Sequence, residues 1–80
     1  MTETSQQLVA TISKEDKLSL IDARVRGIKI DKFNAELSII EQNALEAPEE
    51  SVVASANKII TRAIAQITAL EAQYNSIQAE

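Results

Sequence analysis

The side chains in this 80-residue sequence that could do chemistry are few, and their spacing points mostly to structure. Carboxylates are grouped as Glu15–Asp16 and as Glu46, Glu49 and Glu50. Both groups stand where a helix would begin, and a helix N-terminus favours negative charge. They read as capping and dipole compensation rather than as a general acid–base pair. The sequence has no His and no Cys, so the commonest general base, thiol nucleophiles, disulfides and the usual soft metal ligands are all missing. A phosphate cradle of the G-x-x-x-x-G-K type needs two glycines, and there is one. No calcium-loop pattern of alternating Asp and Asn occurs either. No catalytic residue, metal site or cofactor is expected, and no small-molecule substrate.

A basic cluster, Arg24, Arg26, Lys29 and Lys32, is the other candidate. Nucleic-acid recognition would want aromatic stacking partners or a groove-reading helix. The chain holds one Phe and one Tyr, and Asp22 and Asp31 interrupt the cluster. Net charge is −4, which disfavours nucleic acid and anionic membrane surfaces alike. Charge is unevenly placed: residues 14–32 carry a local +2, and residues 33–56 carry five glutamates and no base. The cluster therefore suits a solvated face, or a docking surface for an acidic protein segment, including the 41–50 stretch of a second copy.

Composition limits the scaffold that positions these groups. Twenty-two residues are Leu, Ile, Val or Phe, enough for a small core. One Gly and one Pro leave little material for the turns of a β-sandwich or barrel. The chain reads as all-α. No apolar run reaches the ~18 residues of a membrane span, and the polar start lacks the pattern of a secretory signal. A cytoplasmic protein, or one incorporated in a larger assembly such as a virion, is expected. Residues 1–12 are expected to be flexible.

The clearest periodicity lies in the C-terminal half. Val53, Ala56, Ile60, Ala63, Ile67, Leu70, Tyr74 and Ile77 follow each other at alternating spacings of 3 and 4, an unbroken heptad seam. Pro48 suits a first helical position, so the spacing predicts a helix over 48–78. Upstream, Ser13 with Asp16 has the form of a helix N-cap, and Leu18, Ile21 and Val25 follow at helical spacing. Arg24, Arg26 and Gly27 read as a helix end. Ile28 and Ile30 lie ~160° apart on a helical wheel and cannot share one stripe. Phe33, Leu37, Ile40 and Ala44 then form a stripe of their own. Helices over about 14–26 and 32–46 are favoured on this basis. One helix running through Gly27 competes, at a cost of only ~1 kcal/mol relative to Ala. The architecture is thus an antiparallel helical hairpin or a small three-helix bundle, with coiled-coil-like packing.

Two expectations about burial follow. The seam is flanked by further apolar residues around Ile60, so that half should be core, with Ile77 near a fraying end. A 32–46 helix is ~22 Å long and, folded back, reaches only to about residue 63. The later seam, Ile67, Leu70, Tyr74 and Ile77, is then covered either by the 14–26 helix or by another chain; the second reading makes it the contact with a partner, with Tyr74 as anchor. The function this suggests is a non-enzymatic protein–protein interaction module, self-associating or docked on a larger complex. By compositional analogy it resembles virion components, secretion-system subunits or their chaperones. The alternative is a small acidic inhibitor or regulatory adaptor that binds a macromolecular machine.

Overall fold

The computed structural model describes residues 12–80; the expectation for residues 1–11 lies outside the described residues. The chain makes two helices, α1 (Lys14–Asn43) and α2 (Glu50–Gln78), packed antiparallel as a hairpin. The three-helix alternative is not realised. Nor is the break at 27–31: α1 runs for 30 residues straight through Gly27, whose φ is not positive.

Continuity wins because a second periodicity runs the length of α1. Leu18, Ile21, Val25, Ile28, Lys32, Ala35, Ile39 and Gln42 keep the 3–4 spacing, and all are buried or half-buried. They meet the complementary seam of α2, where Ala56, Ala63 and Ile77 are buried and Val53, Ile60, Ile67, Leu70 and Tyr74 half-buried. A chain break at Gly27 would have interrupted that contact to save the modest helical cost of one glycine. Two of the α1 seam positions are polar and both are satisfied. The Lys32 ammonium lies 2.6 Å from Glu36 Oε1, its aliphatic stem along the seam. Gln42 Oε1 accepts the Glu49 backbone N–H at 2.8 Å.

The ends follow local chemistry. Ser13 caps α1, its hydroxyl accepting the Asp16 backbone N–H at 3.0 Å, with Glu15 and Asp16 in the first turn. The helix stops at Asn43, three residues before the expected Glu46, and residues 44–49 reverse the chain. Pro48 does not open α2. Glu49 is the N-cap, in extended conformation at φ −78° and ψ 107°, and Glu50 is the first helical residue. The bond from Gln42 holds Glu49 outside the helix, which explains the later start.

The core is thin. The buried residues among those described are Ala35, Ala56, Ala63 and Ile77, so Ile77 is the one large side chain among them. The expected order is reversed: Ile77 is 5 % exposed, whereas Ile60 is only half-buried. The other buried residues, Ala35, Ala56 and Ala63, are small, so little apolar volume is buried around them. Ile77 instead lies in the register of the first turns of α1, where Leu18 and Ile21 are large.

Candidate docking face

The four residues expected to contact another chain lie on the inner seam. Ile77 is buried, and Ile67, Leu70 and Tyr74 are half-buried. Tyr74 shares a groove with Ile21 and Val25, and Leu70 shares one with Ile28. The reason for assigning them to a partner was a preceding helix too short to reach them. A 30-residue α1 does reach them, so that reason is gone.

The apolar surface left uncovered is on the other side of α1. Ile30, Phe33, Leu37 and Ile40 are 54, 58, 39 and 63 % exposed. Their spacings are 3, 4 and 3, a second heptad stripe on the same helix, and it lies nearly opposite the first. This is why Ile28 and Ile30 could not share a stripe: Ile28 is half-buried against α2 and Ile30 faces out. The Phe33–Leu37–Ile40 stripe was legible from sequence, but as the packing face of a short helix. Its outward role could have been found by extending the Leu18–Val25 spacing through Ile28, Lys32, Ala35 and Ile39, which uses up the inner face.

Polar flanks border the outer stripe in a definite order. Arg26 continues it at the N-terminal end, Lys29 and Glu36 flank one side, and Asn34 and Glu41 the other. Arg26, Lys29, Asn34 and Glu41 are exposed, and Glu36 is half-buried in its bond with Lys32. The basic members thus precede the acidic ones along the helix. α2 adds Ile59 and Ile64, exposed on opposite flanks of the seam and not contiguous with each other.

Chemistry elsewhere is sparse. One Ser-x-x-Lys spacing, Ser55 to Lys58, occurs on α2. Both side chains are exposed and line different grooves, so this lysine lacks the desolvation that activates a nucleophile's base. Open grooves run along the junction of the two helices; one of about 560 Å³ is lined by Arg24, Ile28, Asp31, Gln66 and Leu70 among others. Among the described residues no three His, Cys, Asp or Glu converge as a metal site, and no helix is long and apolar enough to cross a membrane. Comparison with protein-family models, curated proteins and solved structures finds no match for this chain.

Proposed function

We propose that the chain is a non-enzymatic protein–protein interaction module, an assembly or structural component that docks through the outer face of α1. The observation that carries this is the exposed stripe Ile30, Phe33, Leu37 and Ile40 on a hairpin whose buried residues include one large side chain, Ile77. Burying a large aliphatic or aromatic side chain is worth about 1.5–3 kcal/mol. Four such groups, each roughly half exposed, therefore hold about 3–6 kcal/mol in reserve for a partner. A two-helix hairpin of this size has only a few kcal/mol of its own, and association is a usual remedy. An apolar patch that costs solubility and adds nothing to the intramolecular core is best explained by what covers it.

A second reading, an acidic inhibitor or adaptor, draws on the hairpin tip, where Glu41, Glu46, Glu49 and Glu50 are all exposed. Such a tip would steer the chain toward a basic surface. The two differ in which residues touch the partner. A photo-crosslinking amino acid placed at Phe33 should yield a discrete adduct in cells that naturally make the protein, whereas one at Glu49 should not. Adducts from Glu49 alone favour the acidic tip, and no adduct from Phe33 refutes the docking face.

A further inference from the structure

We infer that α1 is built to exchange faces beyond Gly27. In a second, less populated arrangement, residues 27–31 unwind and the rest of α1 turns about its axis, laying Phe33, Leu37 and Ile40 on α2. The exchange needs no partner, so it goes beyond the docking reading and is tested separately from it. It is carried by a division that falls at the same level in both helices. Before Gly27, α1 has one apolar stripe, Leu18, Ile21 and Val25, and its opposite side is Asp16, Ser19, Ala23 and Arg26. After Gly27 there are two stripes, and the exposed one is the more apolar: Ile30, Phe33, Leu37 and Ile40 against Lys32, Ala35, Ile39 and Gln42. α2 changes where Gln66 shares a groove with Gly27. Toward the turn its seam is flanked by Val52, Ile59 and Ile64, half-buried or exposed, so its apolar surface is broader than one stripe covers. Toward the C-terminus the flanks are Gln66, Glu71 and Gln73, and that half takes one register only.

Gly27 supplies the hinge. It is the chain's one glycine, and inside a helix it lowers stability relative to alanine. No atom lies within 4 Å of where its Cβ would be, so close packing within the hairpin does not call for it. The two stripes stand roughly 150° apart at ~100° per residue, so the exchange is a part-turn of one segment. The turn at 44–49 gives the far end of that segment slack to follow. Facing outward costs the present inner residues little, since Lys32 and Gln42 are polar and Ala35 is small. Two packings of one sequence with such similar contacts make a two-state element. A partner for the docking face then competes with α2 for the same stripe.

Paired cysteines test the exchange, since the chain has none of its own. Leu37 lies on the outer side of α1. At the usual ~8–10 Å between packed helix axes, its Cα stays beyond the ~7 Å that a disulfide can span to α2. Leu37→Cys with Ala56→Cys should nevertheless close to a monomeric disulfide in dilute protein under mild oxidant. Ser19→Cys with Tyr74→Cys is the control: Ser19 is also on the outer side of α1, in the part that keeps its face, so this pair closes only through global unfolding. Each rate is scaled by the unfolded fraction that urea titration of the reduced pair gives. On that scale the Leu37 pair should be about tenfold faster or more. Ile40 is 63 % exposed and becomes covered only in the exchange, so Ile40→Ser should slow the Leu37 pair about tenfold and leave the control unchanged. Serine and isoleucine have similar helix propensities, so the substitution does not act through the helix itself. If Ala56→Cys leaves the reduced chain non-helical by circular dichroism, Leu37→Cys with Val53→Cys takes its place, Val53 being half-buried on the same seam. Equal scaled rates for the two pairs, or a Leu37 rate that Ile40→Ser does not change, would overturn the exchange and leave the docking face permanently outward.

Discussion

Truncating Ile77 to Ala should be among the most damaging single changes in the described part of the chain, although Ile77 stands one residue from the end of α2. Ile77 is the only large side chain among the buried residues, at 5 % exposure. The change removes three carbons, and at ~0.8 kcal/mol per buried methylene the transfer loss is about 2.4 kcal/mol. In a rigid core a cavity penalty would be added, up to a total of about 5 kcal/mol. The open end of a two-helix hairpin can close or admit water, so the lower end of that range, about 2–2.5 kcal/mol, is expected. At about 4–8 °C per kcal/mol for a domain of this size, the melting temperature should fall by roughly 8–20 °C. Leu20→Ala is the matched control, because Leu20 is 57 % exposed and on neither stripe. It should stay within about 0.5 kcal/mol of the parent. Urea unfolding followed by circular dichroism, at concentrations below self-association, compares the two. Equal midpoints would mean that the helix ends do not hold together and that stability resides around Ala35, Ala56 and Ala63.

Two further changes probe α1. Gly27→Ala should stabilise by about 0.5–1 kcal/mol, since Gly27 lies inside the helix and an added Cβ would meet no atom within 4 Å; a lower thermal midpoint would mean the helix is interrupted there. Ser13→Ala removes the acceptor of the Asp16 N–H and should cost about 1 kcal/mol, read as a lower urea midpoint, with Ser13→Asp close to neutral.

α2 was legible because all eight of its seam positions are apolar, so periodicity identified the helix, while Pro48 set its expected start two residues early. α1 was legible only at its cap and first turns. Its inner seam carries Lys32, Ala35 and Gln42, while the outer stripe carries Ile30, Phe33, Leu37 and Ile40. Reading apolarity therefore followed the exposed face and saw an apparent rotation at Gly27. What reconciles the inner seam is tertiary: Lys32 reaches Glu36, Gln42 reaches the turn, and Ala35 faces the Ala56 groove. None of these pairings is visible in residue spacing. Ile67, Leu70, Tyr74 and Ile77 fall on the inner seam for the same reason: a 32–46 helix cannot reach them, whereas a 30-residue α1 does.

The outward role of the second stripe can be tested apart from any partner by measuring Phe33→Ser with Ile40→Ser against Ala35→Asp at one dilute protein concentration. Ala35 is 5 % exposed on the inner face, and Phe33 and Ile40 are among the most exposed large apolar residues. Circular dichroism and urea midpoints should show the double outer-face variant as helical and as stable as the dilute parent. The single inner-face carboxylate should cost several kcal/mol and unfold the hairpin. If the outer-face variant unfolds in the dilute regime while Ala35→Asp remains folded, the faces have been exchanged, and Ile30, Phe33, Leu37 and Ile40 are core rather than surface.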